Sequence, residues 1–166
     1  MQFDLRAFLE GARKPYEAHF QADLTQSDFG GYTLASPAEC DFTATPTDDG
    51  AALLLCVKAQ IHAECARCLE PLTQDYCFER DYLILPRDLE DPDFELPCNE
   101  QGCIDLDELV YQELIFEVPA VLLCGADCQG LCPICGKKKA AGCTCKPAAD
   151  AVPVDARLSI LKQLLS

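Results

Sequence analysis

Thirteen of the 166 residues are cysteine, and eight of them stand in pairs at metal-ligand spacing: Cys65-x2-Cys68, Cys124-x3-Cys128, Cys132-x2-Cys135 and Cys143-x-Cys145. What such pairs can do depends on the redox environment. The first twenty residues carry Asp4, Glu10 and Glu17 and lack a cationic start followed by an apolar core, so no secretory signal is expected and the chain is placed in the cytoplasm. Disulfides rarely persist there, and clustered thiols then point to metal or redox chemistry rather than to covalent staples. The odd number of cysteines agrees.

A tetrahedral zinc site needs four thiolates, and a C-x2-C turn delivers two from one tight bend whose amides also hydrogen-bond the sulfurs. Cys132-Pro133-Ile134-Cys135-Gly136 has this form, with Pro setting the turn and Gly free to take a positive φ as the chain folds back. Cys143 and Cys145 are its natural second pair, and the residues 136–142 suffice for a short return loop. Cys65, Cys68, Cys124 and Cys128 are left as two half-sites whose union would pin the middle of the chain to its tail. One or two structural zinc ions are therefore expected. Two alternatives to that second site stay open: a site drawing differently on the six tail cysteines, and free thiols at Cys65 and Cys68. Among the isolated cysteines, Cys40, Cys56 and Cys77 are read as small apolar packing residues of strands, and Cys98 and Cys103 as incidental loop thiols.

Tyr16, Ala18 and Phe20 alternate with polar residues, as do Ala38, Cys40, Phe42 and Ala44, the period-two signature of half-buried strands. Ala51 to His62 and Leu72 to Leu85 read as two further strands, forming an antiparallel hairpin with Cys65 to Cys68 at its turn. Pro86 to Gly102 is acid- and Pro-rich without periodicity and reads as a surface loop. Asp105-x-x-Glu108 forms a capping box for a helix carrying Leu106, Leu109, Val110, Leu114 and Val118, which Pro119 stops. After a linker over 147–153, Asp155 opens a short final helix with Leu158, Leu161 and Leu165 on one stripe. The expected fold class is α+β: an antiparallel β-sheet with a packed helix and a C-terminal cysteine-rich zinc-knuckle module. Residues 1–118 would form the α+β domain, and 119–166 the knuckle tail and terminal helix, packed on the same domain.

Charge limits the partners. The formal net charge is −15, opposite to that of a protein tracking a nucleic-acid backbone. It is uneven: residues 75–117 hold fourteen acids and two bases, whereas 118–166 hold three acids and six bases. No apolar stretch reaches membrane-span length.

Cys65-Ala-Arg-Cys68-Leu-Glu-Pro, the run from Leu123 to Gly136, and Asp155-Ala156-Arg157-Leu158 before a leucine helix together resemble the bacterial YceD-like family, the large ribosomal RNA subunit accumulation proteins. The resemblance implies a non-enzymatic cytoplasmic factor for 23S ribosomal RNA accumulation. It also implies partners among the ribosomal proteins or pre-ribosomal particle of the large subunit. The chain departs from the family pattern at Lys137-Lys138-Lys139-Ala140-Ala141, where many relatives carry Asn-Leu-Asn, and at Ala156, where Pro is more usual. Lys137, Lys138 and Lys139, with Lys146, are candidate rRNA contacts. Equally, they can offset a tetrathiolate zinc, whose net charge is about −2.

Two enzyme classes fit these residues poorly. A thiol oxidoreductase would place Cys132-Pro-Ile-Cys135 at the start of a helix, whose N-terminus lowers the first thiol's pKa; here Gly136, three lysines and another thiol pair follow. A zinc hydrolase would use His or carboxylate ligands and an open coordination position. The chain has only His19 and His62, in no ligand pattern. No enzymatic activity is expected.

Overall fold

The computed structural model describes residues 1–11, 13–91, 94–139 and 142–145. The final helix opened by Asp155, the linker over 147–153, Lys146, Ala140 and Ala141 lie outside the described residues. The chain divides into two compact units, Met1–Cys128 and Gln129–Ser166.

In the first unit, strand β1 (Gln2–Asp4) leads into helix α1 (Leu5–Gly11). Then come β2 (Tyr16–Ala22), β3 (Tyr32–Leu34), β4 (Ala38–Pro46), β5 (Ala51–Glu64) and β6 (Pro71–Ile84). A single 3-10 turn, Pro86–Glu90, precedes β7 (Cys103–Asp105) and helix α2 (Leu106–Glu117). Strands β2 to β6 form one antiparallel sheet, and β1 pairs with β7 in a second, two-stranded one.

The long strand β5 organises the sheet. One edge pairs with β6 along its whole length, from Ala51↔Ile84 to Glu64↔Pro71. The other edge is shared end to end by β4, opposite residues 51–58, and β3, opposite 61–63. Between β3 and β4 the register slips by two residues: Leu34 faces Ile61 whereas Glu39 faces Lys58. Ala35 N–H still donates to the Gln60 carbonyl at 2.8 Å, so Ser36 and Pro37 take up the slip, and Pro37 has no N–H to leave unpaired.

The alternation visible in the sequence decides the buried face. Phe42, Ala44, Leu53, Leu55, Val57 and Ile61 are all almost wholly buried on one side of the sheet, and each of these except Ala44 contributes about 1.5–3 kcal/mol. Helix α2 covers this side with Leu106, Leu109, Val110 and Leu114. Asp105 caps it, accepting from Asp107 N–H at 3.0 Å and from Glu108 N–H at 3.4 Å. The reciprocal half of the expected capping box is used otherwise: Asp105 N–H donates to the Pro97 carbonyl at 3.1 Å, and the Glu108 side chain accepts from Gln112 at 3.3 Å. Arg80, on the inward side of β6, reaches Glu113 at 2.8 Å and Glu117 at 2.7 Å, while Tyr82 donates to Glu113 at 2.7 Å. These bonds key the helix to the sheet.

The expected antiparallel hairpin is present, its strands one or two residues longer at the turn than the sequence suggested. Residues 86–102 are less of a surface loop than expected. Leu96 is 7 % exposed, Phe94 packs on the core, and Cys98 bridges Ile104. Two apolar residues without periodicity carry no signal in the sequence, yet they close one end of the core. The segment 119–128 belongs to the first unit rather than to the tail. Ala66 N–H donates to the Leu122 carbonyl at 2.9 Å, Gln74 to the Leu123 carbonyl at 3.2 Å, and Leu122 is buried.

Candidate metal centres

The turn between β5 and β6 carries Cys65 and Cys68, and the segment following α2 passes it with Cys124 and Cys128. One ligand atom from each of these four cysteines lies within 4.8 Å of all the others. The Sγ separations are 3.8 Å for Cys65 and Cys128 and 3.6 Å for Cys68 and Cys124. A ZnS4 tetrahedron with bonds of about 2.3 Å has edges of about 3.8 Å, whereas a disulfide would be near 2.05 Å. The spacing matches the tetrahedron, and every cysteine among the described residues is free.

In the second unit the same test is met by Cys132, Cys135, Cys143 and Cys145, again within 4.8 Å of one another, with Cys135 and Cys143 at 3.6 Å. Here the ligands close over one short hairpin: Cys132 N–H donates to the Lys137 carbonyl at 2.7 Å, Lys139 N–H to the Gly130 carbonyl at 3.1 Å, and Leu131 bridges Lys138. Among the described residues the eight cysteines fall into these two groups, and no group drawing differently on the six tail cysteines is found.

The two C-x2-C turns share one backbone. Leu69 N–H donates to the Cys65 carbonyl and Gly136 N–H to the Cys132 carbonyl, each at 2.9 Å. The residue after the second cysteine is left-handed in both, Gly136 at φ 68° and Leu69 at φ 60°. Glycine takes that conformation freely; leucine is strained there. Leading amides point at the first sulfur of each turn, as in Ile134 N–H to Cys132 Sγ at 3.4 Å. Backbone donors at Cys124, Arg67 and Cys68 pull the Cys65 thiol down to about 6, and those of Cys135 and Ile134 do the same for Cys132. The partners move the other way. Hydrogen bonding with the neighbouring thiols, Cys128 foremost, pushes Cys124 up to about 12, and Cys135 and Cys143 push Cys145 equally far. Four like-charged thiolates this close repel one another, so full ionisation needs a cation among them. Soft, fully thiolate donor sets of this size suit a tetrahedral metal ion.

Arg67, between the two cysteines of its turn, was not visible as a site residue in the sequence. Its guanidinium donates to the Cys128 carbonyl at 3.0 Å, tying the two half-sites together, and only the fold reveals that partner. His62 stands outside the cluster, against Thr73 Oγ1 at 2.8 Å. Cys40 is fully buried, its thiol pushed up to about 12 by burial, in keeping with a packing role. Cys77 is exposed, contrary to that role, because Tyr76 and Phe78 take the inward positions of β6. Cys98 and Cys103 join no metal-ligating group among the described residues. Cys132-Pro133-Ile134-Cys135 is followed by a left-handed glycine and the isolated Leu131–Lys138 bridge rather than by a helix starting at Cys132.

These features define an α+β protein built on an antiparallel sheet, with two four-cysteine clusters able to hold metal. No helix among the described residues is long and apolar enough to cross a membrane. The family model described as Large ribosomal RNA subunit accumulation protein YceD matches residues 54–165, and the chain belongs to this family. That span begins within β5 and includes all eight clustered cysteines. No curated protein and no solved structure gives a significant match.

Proposed function

We propose that the protein is a non-enzymatic cytoplasmic factor for 23S ribosomal RNA accumulation and large-subunit biogenesis, with one structural zinc ion in each cysteine cluster. The carrying observation is the conjunction of family membership with two clusters at tetrahedral spacing. Zinc is favoured among tetrahedral metals because closed tetrathiolate sites use it structurally, without redox change or an open position. Bound there, it would supply cross-linking of short segments and no catalytic chemistry. Cys65, Cys68, Cys124 and Cys128 would hold the first ion, and Cys132, Cys135, Cys143 and Cys145 the second. The partners are ribosomal proteins or the pre-ribosomal particle of the large subunit. Depleting the protein and measuring the ratio of large- to small-subunit rRNA, with rescue by wild type or Cys132→Ser, tests both parts. Selective loss of large-subunit RNA rescued only by wild type is expected; an unchanged ratio rejects the reading.

A second reading makes Lys137, Lys138 and Lys139 an rRNA contact. Supporting it, Lys137 and Lys139 are exposed on the hairpin that frames the second cluster. Salt-dependent RNA binding that weakens in Lys137→Glu is the expected result, and its absence at low salt would leave the lysines as counter-charge to the metal site.

A further inference from the structure

The outer flank of α2 does not look like a solvated helix face. Phe116 is 80 % exposed and Ile115 45 %, and Leu83 at the end of β6 is 69 % exposed. Beside Phe116 the end of β6, residues Asp88, Asp91 and 94–96, and α2 line a groove of about 970 Å³. Its apolar floor includes the buried Ile84, Leu96 and Leu109.

The charges lining this groove have one sign among the described residues: Asp88, Asp91, Glu95 and Glu113, with no lysine or arginine. Glu113 is already engaged by Arg80 and Tyr82, and Arg87 stands 3.9 Å from Asp88 on a side chain that is 81 % exposed. Glu95 is solvent-exposed, and Asp88, whose Oδ2 accepts from the Leu85 N–H at 2.8 Å, keeps 32 % of its side chain exposed. A second copy of the chain would bring the same acidic rim against itself, and an RNA strand would bring phosphates. Each is opposed by the rim.

We infer that this groove is a docking site for a cationic protein segment, one that seats a large apolar side chain against Ile115 and Phe116 while its lysines or arginines meet Asp88 and Glu95. An apolar anchor in a pocket with a charged rim is the division of labour found at protein interfaces, where the anchor supplies affinity and the rim supplies selectivity and on-rate. Neither the metal clusters nor the rRNA reading enters the argument, so failure here and failure there are separate results.

The probe is a labelled synthetic peptide of about 14 residues with leucines at i and i+4 among lysines, titrated by fluorescence anisotropy into the full chain. Companion peptides replace the leucines by serine or the lysines by glutamate. Saturable binding of the first alone is expected. Phe116→Ser, whose side chain is too exposed to hold up the fold, should weaken it about tenfold, as should Glu95→Lys, each the loss of one anchoring contact. Asp49→Lys makes the same charge change in the β4–β5 turn and should leave affinity within about twofold. Equal weakening by Glu95→Lys and Asp49→Lys would reduce the attraction to net charge and overturn the site. So would an unaffected Phe116→Ser, tighter binding of a single-stranded RNA through Phe116, or a dimer in sedimentation that Phe116→Ser dissolves.

Discussion

At the scale of single residues, the two cysteine turns are a natural comparison of one geometry with two side chains. Gly136 and Leu69 occupy the same left-handed position, and a side chain there costs about 1–2 kcal/mol. Leu69 is 61 % exposed and recovers little by packing. Leu69→Gly is therefore expected to stabilise the protein by about 1 kcal/mol, less the added freedom of glycine in the unfolded chain. The check is a raised denaturant midpoint with unchanged slope. The sulfurs set a pH dependence with a definite sign. At neutral pH Cys65 and Cys132, near 6, are already largely thiolate, while Cys124 and Cys145, near 12, carry protons that a metal ion must displace. Metal uptake should release protons, and apparent affinity should fall as pH falls, more steeply once pH drops below about 6, where Cys65 and Cys132 also protonate. Competition with a chelator of known affinity between pH 5 and 8 measures this; a flat profile would contradict it.

At the scale of elements, period-two alternation and helical spacing located β2, β4, β5, β6 and α2 because each buries one face and exposes the other. The elements it missed, α1, β1, β3 and β7, are three to seven residues long. So short a stretch shows no usable period, and these form because neighbours in space complete them: β1 exists only as the partner of β7. Helix α2 depends visibly on its cap, since Asp105 satisfies two amides of the first turn. Asp105→Ala is expected to cost about 1 kcal/mol, measured by chemical denaturation at neutral pH. Asp105→Asn, which keeps the acceptor, should recover most of it.

At the scale of the whole molecule, the two units rest on different physics. The sheet unit buries an aromatic and aliphatic core of its own. Within 129–145, Cys132 is the only buried hydrophobic among the described residues, and so short a stretch cannot offset its chain entropy without a cross-link. Two zinc ions per chain are expected by elemental analysis, and one in each of Cys68→Ser and Cys132→Ser. Chelation should expose 129–145 to protease while the sheet's far-UV signal persists; a protected tail after complete metal removal would refute the account. The sequence by itself determined which cysteines could be ligands, the strand faces of the main sheet and the place of α2, because spacing and periodicity are local properties of the chain. Only the tertiary structure decided that Cys124 and Cys128 meet Cys65 and Cys68, that Arg67 ties those halves together, and that Phe116 stands over an acid-rimmed groove. Those facts depend on where distant segments come to rest, and that is set by a packed core which no local spacing encodes.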